Sequence, residues 1–318
     1  MSQPEQEVSM RTWFKMIIMM VICSFLITLL FGSGISCKPI TEPIPPATES
    51  SPPPEPAPAT IPTNTDQHSV AIIADHQCTN ISQIPTKWID QAKSSFKIWY
   101  GHTSHGSQIT TGIKNIRAQY GTIYDFNKAG SNEALSYQEV GGDLGHRGDL
   151  TWEDKTRKQL NQPDNDRNVV MWSWCGGVSD NTKEGIDTYL KAINQLEIDY
   201  PDITFIYMTG HLDGSGESGN LHIRNNQIRS YCLSHNKILF DFADIESYDP
   251  EGNYFLDHNA NDNCDYTGGN WAQEWCAEHP DSDLCRTCSC AHSQALNCNL
   301  KGRAFWWMMA RIAGWDGL

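Results

Sequence analysis

The stretch "NVVMWSWCGGVSDNTKEGIDTYLKAINQLEIDYPDITFIYMTGH", residues 168–211, carries the decision about the fold. It opens on a short, near-continuous apolar run, breaks at Gly176 and Gly177, and resumes with Ile186, Tyr189, Leu190, Ile193 and Leu196 at three-to-four spacing. After Pro201 a second apolar run, "ITFIYM", begins. Short β-branched and aromatic runs suit strands buried on both faces, whereas the three-to-four spacing gives a helix one apolar stripe.

The same alternation continues outward. "FKIWYG" at 96–101 precedes the helix-like "ITTGIKNIRAQYG", and "GNLHIRNNQIRSYCLSHN" precedes "KILFDFADI" at 237–245. Strands that alternate with helices predict an α/β fold, a three-layer α/β/α sandwich around a mainly parallel sheet. Ligands of such sheets bind beyond the carboxyl ends of the strands. Polar candidates fall at those ends: Ser104 in "YGHTSHG", Cys175, Gly176 and Gly177 in "SWCGG", and His211 and Asp213 in "TGHLDG".

The first 37 residues read as an export segment. Arg11 and Lys15 precede an apolar run from Met16 to Phe31, and "GSGISC" follows. The end of this segment resembles a bacterial lipobox with Cys37 as the lipidated residue, although Gly34 stands where an aliphatic side chain is usual. The alternative is an uncleaved helical anchor, for which the run is short against the ~20 residues of a span. Residues 38–67 are rich in Pro, Thr, Ser and Glu and poor in large apolar side chains, so they read as a disordered spacer of about 3 Å per residue. Residues 68–318 then form the folded domain, exported and tethered on the extracytoplasmic side of a membrane. A formal net charge of −15 provides no basic stripe and excludes nucleic acid as a partner.

Nine cysteines fall in that domain: Cys78, Cys175, Cys232, Cys264, Cys276, Cys285, Cys288, Cys290 and Cys298. An exported chain favours disulfides, and an odd number leaves at least one thiol unpaired within the chain. Cys285, Cys288 and His292 also have zinc-ligand spacing, which an oxidising compartment disfavours. The Asp- and Asn-rich run "DHNANDNCD" at 257–265 offers oxygen ligands but lacks the central glycine of a calcium loop.

Ser104 sits between a strand and a helix, where amides at a helix start can stabilise an oxyanion; the same position suits an ordinary helix cap. His292 lies in a cysteine-rich loop before the apolar helix that contains Trp306, Trp307, Met308 and Met309, and a histidine there can take a serine proton near neutral pH. This order of parts, "YGHTSHG", then "EVGGDLGHRGDL", "WSWCGGVSDN" and "CSCAHS", resembles the SGNH, or GDSL-like, hydrolase superfamily. The resemblance implies a flavodoxin-like sheet, with Ser104 as nucleophile and His292 as base. It also implies an oxyanion hole built from a glycine among Gly141, Gly142 and Gly145 and a donor among Cys175, Gly176 and Gly177. The chain departs from the family pattern in two places. No "GxND" occurs, and Ser289 stands where the triad aspartate would be, leaving a backbone carbonyl or an acid from elsewhere, such as Asp257 or Asp265, to orient the histidine.

The function so implied is hydrolysis of an ester by acyl-serine chemistry, without cofactor or metal, on a small-molecule or polysaccharide ester. Aromatic residues at 254–276 suggest either stacking on sugar rings or a disulfide-stapled loop that packs its own tryptophans, and His211 and Asp213 are expected to touch substrate, to orient the base or to cap the next helix. The alternative class is a non-catalytic surface lipoprotein that binds glycan or protein on a degenerate scaffold.

Overall fold

The computed structural model describes residues 70–317; the expected leader, Cys37 and the spacer lie outside them. Seven strands form one sheet in the order β1-β7-β6-β5-β2-β4-β3, every neighbouring pair parallel. The strands are β1 (Ile72–Ala74), β2 (Lys97–His102), β3 (Phe126–Asn127), β4 (Leu135–Gly141), β5 (Val169–Trp172), β6 (Thr204–Met208) and β7 (Ile238–Phe240). The helices are α1 (Thr86–Ser95), α2 (Ser107–Tyr120), α3 (Thr151–Leu160), α4 (Lys183–Asp199), α5 (Asn220–Ser234), α6 (Phe242–Ile245), α7 (Trp271–Glu278) and α8 (Ala295–Ile312). The α/β class and the parallel sheet read from the alternation are therefore present.

Every residue of β5 and β7 is buried, which explains their unbroken apolar sequences. A parallel sheet covered on both faces has no solvent side on which to place polar residues. Helix α8 packs against both α1 and α2, and α4 packs against both α3 and α5. Where α2 crosses α8 the backbones nearly touch: a Cβ on Gly112 would lie 2.0 Å from the Cys298 carbonyl oxygen, and one on Gly302 would strike Gly112. Of Trp306, Trp307, Met308 and Met309, whose apolar run suits core packing, Trp306, Met308 and Met309 are buried and Trp307 is half-buried against the core.

Two elements differ from the sequence expectation. "EVGGDLG" was read only as a glycine block, yet β4 runs through its start; the strand is half polar because its second half loses cover. "KILFDFADI" is not one strand, because Asp241 accepts from the Asp244 amide and turns residues 242–245 into a helical turn.

The order of strands places β2 at the turning point. The chain runs from β2 out to β3 and β4 on one side, then crosses to β5, β6 and β7 on the other. The crevice between β2 and β5 is therefore the switch point at which open α/β sheets bind ligands. A two-stranded antiparallel ribbon, β8 (Asp265–Tyr266) with β9 (Gly269–Asn270), belongs to the long C-terminal excursion that comes back over this rim.

Candidate active site

The turn after β2 and the turn after β5 meet at that crevice. Ser104 Oγ lies 3.5 Å from Cys175 Sγ, and His105 Nδ1 lies 3.3 Å from the same sulfur. The other nitrogen of His105, Nε2, is 2.9 Å from Asp262 Oδ2. A thiol, an imidazole and a carboxylate thus form a continuous hydrogen-bonded chain. His105 is buried, Asp262 is partly covered and Cys175 is half-buried, so the thiol can meet a ligand while its partners are held.

Charge balance within the chain follows from position. Burial lowers the His105 pKa below its ordinary 6.5; the Asp262 hydrogen bond opposes this, and the nearby His211 adds to it. The net result favours the neutral, proton-accepting ring at pH 7. Burial is the largest influence on the Asp262 carboxylate and works against its charge, but the His105 hydrogen bond, the nearby His211 and His105 rings and the Asn263 amide together outweigh it and keep this pKa below the ordinary 3.8.

Backbone shape brings the thiol here. Gly176 has φ +81°, open to glycine without strain, and a Cβ on Gly177 would lie 1.7 Å from the Gly145 carbonyl oxygen. The β5 turn and the "GGDLG" turn therefore pack backbone against backbone. Gly142 and Gly145 contribute this shape rather than oxyanion donors: the Gly142 amide donates to the His102 carbonyl at 3.3 Å, and the Gly145 amide to Asp143 Oδ1 at 2.9 Å. By contrast the amides of Ser104, His105, Cys175, Gly176 and Gly177 donate no hydrogen bond among the described residues.

The three histidines of the rim form a stack. The His211 ring lies parallel to His105 with centroids 3.6 Å apart, and His292 covers His105 with centroids at 4.4 Å. His292 is exposed and has a left-handed backbone, φ 58°; among the described residues its ring makes no hydrogen bond. The disulfide Cys290–Cys298 closes its loop, and Cys276–Cys285 closes the one before. Cys285 is thereby withdrawn from the zinc-like set with Cys288. Cys78, Cys175, Cys232, Cys264 and Cys288 are free thiols.

The expected residues therefore divide. Ser104, Cys175, Gly176, Gly177, His211 and His292 come together at one rim, while the partner of Ser104 is a sulfur and the ring beside that sulfur is His105. Asp213 spends its carboxylate on its own turn, accepting from the amide and hydroxyl of Ser215. Its backbone bridges to Asn261, which delivers the neighbouring Asp262 to the site. Asp265 accepts from Asn263 and Asn270, and Asp257 lies beside His258 at 4.0 Å. The "DHNANDNCD" run is thus a self-bonded loop: Asn261 Oδ1 also accepts the amides of Asn263 and Asp265. Trp271 and Trp275, expected as sugar platforms, are buried.

Asp262 was missed because nothing local marks one acid among several in a polar run. Its selection depends on the 157-residue loop that separates it from His105. His105 was visible beside Ser104, but its direction was not. Beneath the rim, Lys301 and Glu246 form an entirely buried pair at 2.5 Å. Glu246 accepts the Leu212 amide at 2.7 Å, Lys301 also donates to Gln108, and Gln108 donates to the Ala291 carbonyl at 2.7 Å. One buried ion pair thus braces the residues next to both His211 and His292.

His105, His211 and Asp262 each direct a ligand atom into one region, all within 4.8 Å of one another. No family model, curated protein or solved structure matches this chain.

Proposed function

We propose that this protein is an exported, membrane-tethered hydrolase of esters that works by covalent acyl transfer, with Cys175 as nucleophile and His105 as base. The observation that carries this reading is the single imidazole that spans Cys175 Sγ at 3.3 Å and Asp262 Oδ2 at 2.9 Å. A nucleophile within reach of a base whose far nitrogen is oriented by a carboxylate is the general arrangement of nucleophilic hydrolases. In the first step the thiol proton passes to His105 Nδ1 and the sulfur attacks the ester carbonyl. The tetrahedral oxyanion takes hydrogen bonds from the amides at 104–105 or 175–177, which have no acceptor among the described residues. Each such donor is worth about 3 kcal/mol in the transition state. The alkoxide then leaves with the proton from His105. In the second step His105 takes a proton from water as the oxygen attacks the thioester, the thiolate is expelled and takes that proton back from His105, and the acid departs.

The two C-terminal disulfides support export, since such bonds persist in oxidising compartments. Tethering rests on the N-terminal sequence alone. The SGNH-type resemblance implies Ser104 as nucleophile and so goes with the second reading below, whereas a small-molecule or polysaccharide ester as substrate suits either. Burial of Trp271 and Trp275 leaves the half-buried Tyr254 and Tyr266 as the aromatic support for a sugar.

A second reading keeps Ser104 as nucleophile, because its Oγ is 3.5 Å from Cys175 Sγ and either atom reaches the same carbonyl carbon. One experiment separates the two. The protein is incubated with activated short-chain aryl esters, quenched in acid and mapped by mass spectrometry, beside Cys175→Ala and Ser104→Ala. An acyl group on the Cys175 peptide, lost in Cys175→Ala and kept in Ser104→Ala, supports the thiol reading. An adduct on Ser104 selects the second. Folded protein with neither adduct nor turnover removes the hydrolase and leaves a binding lipoprotein.

A further inference from the structure

His211 has no part in the acyl-transfer chain, yet it is held with care. A carbonyl can only accept, so the 2.9 Å contact from His211 Nδ1 to the Leu212 oxygen puts the proton on Nδ1 and leaves Nε2 with a bare lone pair. The Leu212 peptide is itself fixed by Glu246, and Glu246 by Lys301. An imidazole that spends one N–H on a backbone carbonyl and presents the other nitrogen bare is the way proteins prepare a metal ligand.

We infer that His105, His211 and Asp262 bind a divalent transition-metal ion of the zinc type, and that the bound ion silences Cys175. Two imidazoles and one carboxylate are a donor set that zinc accepts with a fourth position left open. Their ligand atoms already lie within 4.8 Å of one another. Zinc binds about 2 Å from each nitrogen and in the ring plane, whereas the His105 and His211 rings are parallel and 3.6 Å apart. Loading therefore tilts one ring out of the stack. His211 is the ring to move, because it is half-buried while His105 is enclosed. When the ion takes Nε2 of His105 and Asp262, the His105 proton moves by way of solvent from Nε2 to Nδ1, so the ring stays neutral and can no longer accept the thiol proton; a neutral imidazole and an ionised carboxylate bind with no net loss of a proton.

The site itself rests on side-chain geometry; its effect on Cys175 rests on the function proposed above. With Nε2 on a cation, His105 is no longer free to hold the thiol proton as an imidazolium backed by Asp262.

The test uses untagged full-length protein stripped with chelator and titrated with Zn2+ by calorimetry. The expected result is one ion per chain, with His211→Ala and Asp262→Asn each weakening affinity at least ~10-fold, the loss seen even for outer partners of a ligand. Cys175→Ser should bind as the wild type does. Folded protein that binds no Zn2+, or binding that survives both substitutions, overturns the site; so does binding lost in Cys288→Ser instead, which would place the ion on the tail loop. Co2+ loading should give no sulfur charge-transfer band, and a band abolished by Cys175→Ser would make the thiol a ligand and refute the assignment. Saturating Zn2+ should slow iodoacetamide alkylation of Cys175 in the wild type but not in His211→Ala. An unchanged rate overturns the silencing while the calorimetry still stands, and an acyl-adduct failure leaves the metal site intact.

Discussion

The substitution Gly177→Ala tests whether the position of Cys175 depends on backbone contact between two turns. The added Cβ would lie 1.7 Å from the Gly145 carbonyl oxygen, while real Cβ atoms essentially never approach closer than 3.0 Å. The obstacle is backbone, so the turns must part by roughly 1.3 Å. Gly177 is two residues from Cys175, and the Cys175 Sγ to His105 Nδ1 contact is already 3.3 Å long. A shift of that size breaks it. Misplacement by about 1 Å costs on the order of 100-fold in rate, and overpacking of this kind costs about 1–3 kcal/mol in stability. The assay pairs urea unfolding with the rates of ester cleavage and of Cys175 alkylation at pH 7. The expected outcome is a folded protein whose cleavage falls about 100-fold and whose thiol is alkylated more slowly than that of the wild type. A variant with wild-type stability and wild-type thiol reactivity would refute the packing argument, whatever the substrate proves to be.

Three further outcomes follow from other parts of the molecule. Lys301→Met strands a fully buried Glu246 and should cost about 3–5 kcal/mol, whereas Lys301→Met with Glu246→Leu should recover most of it; equal losses in the two variants, measured by denaturant unfolding, would show that the pair is not what matters. Burial opposes the charge of His76, but the Asp244 carboxylate outweighs it and holds the His76 pKa above 6.5; burial likewise opposes the Asp244 charge, and His76 outweighs it, holding that pKa below 3.8. The His76 contribution is complete below pH 6.5 and fades as pH rises through its raised value, while that of Asp244 is complete above pH 3.8 and fades as pH falls through its lowered value. The stability deficit of His76→Gln should therefore be greatest between those limits and shrink at alkaline pH, and a deficit that is flat from pH 5 to pH 9 would contradict the pairing. Finally, Cys276–Cys285 and Cys290–Cys298 span 9 and 8 positions, so reducing each should cost about 2.5 kcal/mol by loop entropy; if dithiothreitol leaves the unfolding midpoint in place, the bonds do not constrain the loops.

The elements of the sheet were legible because their signals are local. The burial of "NVVMW" on both faces and the spacing from Ile186 to Leu196 each follow from a strand or helix having a fixed repeat. The parallel sheet and the gathering of polar turns at its rim follow in turn, and Ser104, Cys175, His211 and His292 do lie there. The half-polar strand β4 was hidden because only its first three residues are buried, which leaves no unbroken apolar run to mark it. The sequence by itself thus determined the class of fold and the end of the sheet at which a site would form. Only the tertiary structure decided the chemistry of that rim: that His105 faces a sulfur, that Asp262 rather than Asp257 or Asp265 completes the chain, and that Trp271 and Trp275 are core. Those choices depend on where a C-terminal excursion lands on a turn 157 positions earlier in the chain. Repeat and propensity act over a few residues, whereas that landing is set by the packing of the whole domain.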